Sequence, residues 1–185
     1  MEKPELYRKR IANYLANVIA PAIYEDSEPL KVWAFQCADP IAYDEAITRE
    51  FQPVDIGFRF GPKWSTVWFK VEGTVPERFQ DRKVLLRFNC ETEALLYRHG
   101  EPMQGMELNH DDHLLFRQGK SGDFVSMFIE CGVNLLMGAD GGSRYDSREP
   151  TSGPHAPAAL KRCQLAVLND TVRGLYYDIS FLANL

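Results

Sequence analysis

The sequence predicts a mainly β protein, an antiparallel β-sandwich flanked by an N-terminal and a C-terminal helix. Two observations support this fold class. Between residues 31 and 131, apolar and polar positions alternate in short segments that recur at roughly ten-residue intervals, with Gly and Pro turns between them. Near residues 7–22 and 165–182, apolar residues instead recur three and four positions apart, which is the period of a helix.

The alternation predicts individual strands in order. In the clearest one, residues 66–75, Val67, Phe69 and Val71 lie on one face, whereas Trp68 and Lys70 lie on the other. Residues 124–131 are apolar on both faces, which indicates a central strand, and residues 43–51 suit a short helix or an irregular segment. The remaining strands are predicted at 31–35, 84–89, 94–98 and 114–117.

The chain divides into four predicted segments. Residues 1–24 form an amphipathic helix, residues 25–138 the sandwich, residues 139–159 a loop rich in Gly, Ser and Pro, and residues 160–185 a second helix in which neither Gly nor Pro follows the last apolar residue. The first helix has a predicted apolar face of Tyr7, Ile11, Tyr14, Leu15, Val18 and Ala22. The last has a heptad-like seam of Leu165, Leu168, Val172, Leu175, Ile179 and Leu182.

The composition argues against several function classes. The chain has 185 residues, a net charge of −5 and no basic stripe, so we expect no nucleic-acid partner. The N-terminus lacks a signal-peptide core, and no run of about 18 apolar residues occurs, so we expect no membrane span and a cytoplasmic location. Because 45% of the residues are hydrophobic, the chain can bury a core without metals or disulfides.

The cysteines leave two interpretations open. Cys37, Cys90, Cys131 and Cys163 form no C-x-x-C pair, and their spacings fit no zinc template. They are either two disulfides or the reduced thiols of an intracellular protein, and the second interpretation is the simpler one.

Two polar clusters are candidates for chemistry. Residues 109–113, Asn-His-Asp-Asp-His, are of types that ligate metals, but they precede a strand, where a solvated turn is expected. Glu91 and Glu93 stand two apart on a predicted strand and would share a face, as an acid and a nucleophile of a glycosidase could, yet nothing in the sequence indicates burial. No G-x-S-x-G nucleophile motif is present. By its own residues, the chain does not read as a self-sufficient enzyme.

The aromatic-rich stretch from Phe58 to Val71 combines a Gly61-Pro62 turn with a strand. Flat aromatic faces suit pyranose rings, so Trp64, Trp68, Phe69 and Tyr97 are candidates for sugar contact. Alternation along the strand gives Trp68 a structural role, which leaves Trp64, in the turn, as the candidate contact.

Three segments resemble one enzyme family, in the same order along the chain. Residues 46–69 end in Gly-Pro-x-Trp-Ser-Thr-x-Trp-Phe, residues 97–105 read Tyr-Arg-His-Gly-Glu-Pro-Met-Gln-Gly, and residues 129–138 precede the small-residue loop. Residues 165–170, Leu-Ala-Val-Leu-Asn-Asp, also match. Together they resemble the N-terminal region of cytosolic-type alpha-mannosidases, glycoside hydrolase family 38.

The resemblance implies a jelly-roll-like (galactose-binding-like) sandwich that precedes a catalytic domain. In this family the catalytic domain holds zinc or another divalent metal and the aspartate nucleophile of a retaining mechanism. The metal-binding segment begins beyond the matched region, so no catalytic residue, metal ligand or cofactor is expected in this chain. The implied role is to support its own catalytic domain and the homo-oligomerisation of the full enzyme.

The chain departs from the family at His99, where Asp is usual, and at Val133-Asn134-Leu135, where Cys-Asn-Gly is usual. These departures indicate a diverged member of the family. A second hypothesis is a free-standing carbohydrate-binding or protein-interaction module, since sandwiches of this kind often bind sugars on their loops, with mannose-containing oligosaccharides as ligands. For substrate binding or interface contact we select Trp64, Arg98 and Asn134.

Overall fold

The computed structural model describes residues 3–134 and 158–183. Two antiparallel sheets pack face to face, and helices cover part of the outer surface of one sheet. The predicted sandwich with flanking helices is confirmed. In chain order the elements are α1 (Lys3–Tyr14), a π-helical turn (Leu15–Ile19), α2 (Ala20–Ala22), β1 (Tyr24–Pro29), β2 (Lys31–Cys37), α3 (Tyr43–Ala46), β3 (Gln52–Val54), β4 (Arg59–Phe60), β5 (Thr66–Thr74), a 3-10 turn (Glu77–Phe79), β6 (Val84–Asn89), β7 (Glu93–Arg98), β8 (Glu101–Met106), β9 (Asp112–Phe116), β10 (Phe124–Gly132), β11 (Ala158–Ala159), β12 (Arg162–Leu168) and α4 (Asp170–Ala183).

The strand order shows how the chain crosses between the sheets. The four-stranded sheet has the order β1-β12-β6-β9, and the six-stranded sheet has the order β3-β2-β5-β10-β7-β8. β10 is flanked by β5 and β7, as its apolar residues on both faces predict. Because β12 joins β1 and β6, segments from both ends of the chain close the same sheet.

The core lies between the two sheets, and β5 shows how the sequence builds it. Val67, Phe69 and Val71 point into the core, as the alternation predicts. Gly73 continues that face. A Cβ placed there would lie 2.3 Å from Leu30 Cδ2, so any larger residue at position 73 would push the Leu30 side chain away.

Aromatic side chains cover the outer face of the six-stranded sheet. Trp68 points outward from β5 and is nevertheless fully buried. Tyr43 of α3 stacks on Tyr97, with ring centres 4.8 Å apart, and meets Trp68 edge-on at 6.2 Å. Phe51 meets Phe128 at 5.7 Å. Segment 43–51 thus seals this face, and Trp68 is a packing residue.

The predicted C-terminal helix is wrong over residues 162–168, which form β12. Cys163, Leu165 and Val167 alternate into the core, so the spacing that resembled a heptad seam belongs to a strand. The helix begins only at Asp170, where Asn169 Oδ1 accepts a hydrogen bond from the Val172 backbone N–H at 3.0 Å, as an N-cap does. Of the predicted loop 139–159, Ala158 and Ala159 form β11, and the rest lies outside the described residues.

The N-terminal helix is present but buries a different face from the predicted one. Leu15 and Ile19 are buried, whereas Tyr7, Ile11 and Tyr14 are exposed. The π-helical turn at Leu15–Ile19 changes the helical repeat there, which turns Ile19 inward. Ile23 then packs with Leu85 and Leu168 on the outer face of the four-stranded sheet. The prediction for this face is correct only for Leu15, and the apolar side of α1 is left open.

Candidate functional site

The end of the sandwich where β10 finishes holds the Gly-Pro-Lys-Trp turn. Trp64 has a φ of 74°, which is uncommon for a residue other than glycine. Its backbone N–H donates to Val133 O at 2.7 Å, and the Val133 N–H donates to Ser65 O at 2.9 Å. The ring is 66% exposed, with Lys63 Nζ 5.7 Å from its centre. A large ring displayed on a constrained backbone is a candidate contact.

Asn134 lies at the same end because it follows Val133. Its Nδ2 donates to Glu93 Oε2 at 3.0 Å. Its Oδ1 is buried and has no hydrogen-bond partner among the described residues. The backbone hydrogen bonds to Val133 therefore place Trp64 and Asn134 at the same end of the sandwich, where Glu93 adds a carboxylate that the sequence pairs only with Glu91.

Arg98 lies elsewhere, at the opposite end of β7 from Glu93. Consecutive strand residues rise about 3.3 Å, so the length of β7 separates Arg98 from the Trp64 end by about 17 Å. Its Nη1 donates to Leu115 O at 3.1 Å, and its guanidinium lies 5.1 Å from the Phe116 ring centre. Arg98 joins the two sheets at this point and is separate from the other two candidate residues.

Glu91 and Glu93 do not form a catalytic pair in this structure. Glu91 has a φ of 64° in the turn before β7, and its carboxylate pairs with Lys161 at 3.3 Å. Glu93 is the first residue of β7 and binds Asn134. The prediction that both share one strand face is wrong, because the left-handed backbone at Glu91 interrupts the alternation.

The His-Asp segment is distributed between a turn and β9. His110 Nδ1 lies 2.8 Å from Glu107 Oε1, whereas His113 Nδ1 lies 2.8 Å from Gln104 Oε1, so the imidazoles have different partners. Burial lowers the pKa of His113. Over residues 3–134 and 158–183, no group of three or more His, Cys, Asp or Glu side chains is arranged to hold a metal ion.

A second polar site, which the sequence did not reveal, lies on the outer face of the four-stranded sheet. A cleft of about 480 Å³ opens between this face and the helices. We name it the arginine cleft. Two of its charged residues belong to the polar cluster 109–113, whereas no local motif indicates the proximity of the arginines from β6, β12 and α4. Its charged residues come from these three elements and from the turn into β9. They are Arg87, Arg162, Arg173, Asp111 and Asp112.

Asp111 is shared by two arginines. Arg87 Nη2 donates to Asp111 Oδ2 at 2.6 Å, and Arg162 Nη1 donates to the same oxygen. The Arg87 guanidinium also lies 3.8 Å from the ring centre of Tyr24. The Asp111 side chain is only 13% exposed, so this is a largely desolvated ion-pair network.

Asp112 forms the other half of the cleft. It accepts a hydrogen bond from Arg173 Nη2 and another from the Tyr24 hydroxyl, the latter at 2.6 Å. Burial, together with this hydrogen bond to a carboxylate, raises the pKa of Tyr24 to about 12. The tyrosine thus remains a hydrogen-bond donor over the physiological pH range.

The four cysteines are free thiols. Cys90 Sγ lies 3.5 Å from Cys131 Sγ across the core, and both side chains are buried. Burial raises the pKa of Cys131 and of Cys163, whereas the hydrogen bond with Cys131 lowers that of Cys90. Of the two interpretations left by the sequence, the structure has the reduced thiols.

No helix among the described residues is long and apolar enough to cross a membrane.

A crystal structure of Ruminococcus gnavus beta-glucuronidase in complex with uronic isofagomine has a similar fold. The match covers 77% of this chain and 28% of the beta-glucuronidase chain, at 14% identity and a TM-score of 0.50. At this identity the likeness shows the fold alone.

Residues 27–166 match the family model described as "Alpha-mannosidase, jelly roll domain". Alpha-mannosidase 2C1 of Homo sapiens is 33% identical over 80% of this chain and 14% of its own length. Alpha-mannosidase G of Dictyostelium discoideum is 26% identical over 85% of the chain and 15% of its own length. The chain thus spans about a seventh of the length of these relatives. It belongs to the alpha-mannosidase jelly roll domain family.

Proposed function

We propose that this chain is the N-terminal, non-catalytic domain of a retaining, metal-dependent alpha-mannosidase, which hydrolyses terminal alpha-D-mannosides. The family match and the small share of each relative that the chain covers support this role. The two candidate carboxylates also support a non-catalytic role. Glu91 forms an ion pair with Lys161 and Glu93 accepts a hydrogen bond from Asn134, so the two do not face each other across a cleft.

The observation that carries the supporting role is the open helical layer, which we define as α1, the π-helical turn, α2 and α4. These elements contact one another, and Leu15 and Ile19 are buried, yet eight of their large apolar side chains remain exposed. Exposed apolar groups concentrated in one layer mark a protein interface. A catalytic domain packed there would cover them. The exposed residues are Tyr7, Ile11, Tyr14, Val18, Leu175, Tyr177, Phe181 and Leu182.

Three further properties belong to this proposal. The zinc or other divalent metal would be held by the catalytic domain, as the family resemblance implies. Homo-oligomerisation of the full enzyme rests on the family resemblance alone, because the exposed side chains of the open helical layer are assigned to the contact with the catalytic domain. A cytoplasmic location is supported by the four free thiols, which persist in a reducing compartment.

Enzyme assay and co-purification test the proposal. The isolated chain, with zinc or cobalt added, should not hydrolyse 4-nitrophenyl alpha-mannoside, and turnover by this chain alone would contradict the assignment.

When the chain is co-expressed with an alpha-mannosidase catalytic region from the same source, the two should co-purify. Ile11→Asp or Phe181→Asp should weaken that association. Ile56→Asp, which changes an exposed isoleucine outside the helical layer, is the matched control.

The alternative function is a free-standing carbohydrate-binding or interaction module, and the Trp64 end favours it. An exposed indole ring, the Asn134 amide and the Glu93 carboxylate combine a flat apolar face with groups that could bind sugar hydroxyls. Mannose or a mannose-containing oligosaccharide would be the ligand.

Calorimetric titration with mannose and mannobiose tests this alternative. A Kd tighter than about 1 mM, near −4 kcal/mol, would support a binding module. Trp64→Ala and Asn134→Ala should then abolish binding. Arg98→Ala should leave it unchanged, because Arg98 lies at the other end of β7. Absence of binding to both sugars would leave only the supporting role.

A further inference from the structure

The arginine cleft has the features of a ligand site, and the proposed supporting role does not use its charged residues. Its volume of about 480 Å³ lies in the range of small-molecule pockets, roughly 300–1,000 Å³. One side is the charged outer face of the four-stranded sheet, and the other is formed by residues 16–23 and α4. We propose that this cleft binds a small phosphate ester whose body is a hydroxylated ring.

The charge of the cleft favours an anion. Three guanidinium groups face two carboxylates, which leaves an excess of one positive charge in a chain whose net charge is −5. The side chains of Arg162 and Arg173 are 36% and 27% exposed, so they are partly desolvated but reachable. Arginine binds phosphate oxygens through paired N–H groups, and partial desolvation strengthens that attraction.

Two arginines retain donors for a ligand. Arg162 uses Nη1 on Asp111, and Arg173 uses Nη2 on Asp112. Neither guanidinium makes a second hydrogen bond to a described residue, so each has a further terminal nitrogen for a phosphate oxygen. Arg87 differs, because it is held between Tyr24 and Asp111, and its buried Nε has no hydrogen-bond partner within residues 3–134 and 158–183. Arg87 organises the floor of the cleft, while Arg162 and Arg173 would contact the anion.

The rest of the lining suits a ring that carries hydroxyl groups. Tyr176 and Tyr177 lie edge to face, with ring centres 5.7 Å apart, and give the cleft an aromatic wall. Asn109 and His110 stand at the charged side, where an amide and an imidazole can bind hydroxyls. Ala20 and Pro21 form an apolar surface opposite. Inorganic phosphate would use only the arginines, whereas a sugar phosphate would use both parts.

Calorimetric titration of the chain with glucose 6-phosphate, inorganic phosphate and glucose tests the proposal. We expect glucose 6-phosphate to bind with a Kd below about 1 mM. Inorganic phosphate should bind at least tenfold more weakly, and glucose should not bind. Equal affinity for inorganic phosphate would overturn the part of the proposal that concerns the ring. No binding of either phosphate compound would overturn it entirely.

Charge-removing variants locate the site. Arg162→Gln and Arg173→Gln should each weaken glucose 6-phosphate binding at least tenfold. Both should still fold, because Asp111 keeps Arg87 and Asp112 keeps Tyr24 as partners. Arg78→Gln is the matched control, since Arg78 pairs with Asp26 and lies outside the cleft lining. An equal loss in all three variants would indicate a general charge effect and contradict the site. Urea unfolding of each variant separates loss of binding from loss of folding.

Discussion

Two regions of the molecule bury their apolar side chains to very different extents. One is the core between the two sheets, and the other is the open helical layer outside the four-stranded sheet. Between the sheets, Phe69 and Phe88 are almost completely buried, and the core is closed on both sides by strands. In the helical layer, α4 has no buried residue, and Phe181 is 68% exposed. The sandwich buries its core side chains within the chain, whereas most large apolar side chains of the helices are exposed in the described part of the chain. The arginine cleft lies at the boundary between the two regions.

The largest expected effect is the truncation of a core aromatic. Phe69 lies 5.5 Å from Phe60 and 5.6 Å from Phe88 between ring centres, so Phe69→Ala leaves a cavity. We expect the free energy of unfolding in urea to fall by about 3–5 kcal/mol. Phe124→Ala, on the neighbouring strand β10 and 64% exposed, should change it by less than about 0.5 kcal/mol. Equal losses would show that the sandwich core is not the stabilising part.

A smaller effect is expected at the boundary between the regions. Asp111→Ala leaves Arg87 and Arg162 without their shared carboxylate in a largely desolvated position. Allowing for their remaining exposure, we expect a loss of about 1–3 kcal/mol in urea unfolding. Glu25→Ala, which removes the exposed ion pair with Arg82, is the control and should cost less. A loss no larger than that of the control would mean that the cleft is as solvated as the open surface.

The pH dependence of the unfolding free energy above pH 10 tests the environment of Tyr24 in the arginine cleft. The folded state keeps the Tyr24 proton up to a pKa of about 12, whereas the unfolded chain releases it near pH 10. Below about pH 10 this contribution is fully present, and it is lost as the pH rises from about 10 to about 12. Tyr24→Phe should therefore flatten the fall in unfolding free energy measured in urea over this window. An unchanged slope would contradict a desolvated Tyr24.

The smallest effect is expected in the helical layer. Phe181→Ser removes a ring that is mostly in solvent, so the unfolding free energy of the isolated chain should change by less than about 0.5 kcal/mol. Self-association measured by sedimentation should decrease, because the exposed apolar surface shrinks. Leu165→Ala, in the core strand β12, should in contrast cost about 2–5 kcal/mol. A comparable cost for Phe181→Ser would remove the distinction between the two regions.

The candidate site was only partly predictable. Trp64 was identified because a tryptophan after Gly-Pro is placed in a turn, and the structure exposes it. Its proximity to Asn134 depends on the hydrogen bonds that join the turn to Val133. Arg98 was grouped with them although β7 carries it to the opposite end. Of the arginine cleft, the sequence indicates only the polar cluster 109–113, because the three arginines lie on three other elements.

The sequence by itself determined the alternation of β5 and β6, the central position of β10, the turns between the strands and the family resemblance, since each depends on neighbouring residues. Only the tertiary structure decided that residues 162–168 are a strand and which face of α1 is buried. β12 gains its hydrogen bonds from β1 and β6, which are far away in the chain, and these partners override a local spacing that suits a helix. The spacing of apolar side chains reports only on the segment in which they occur. Strand pairing and burial depend on segments that are distant in the sequence and adjacent in the fold.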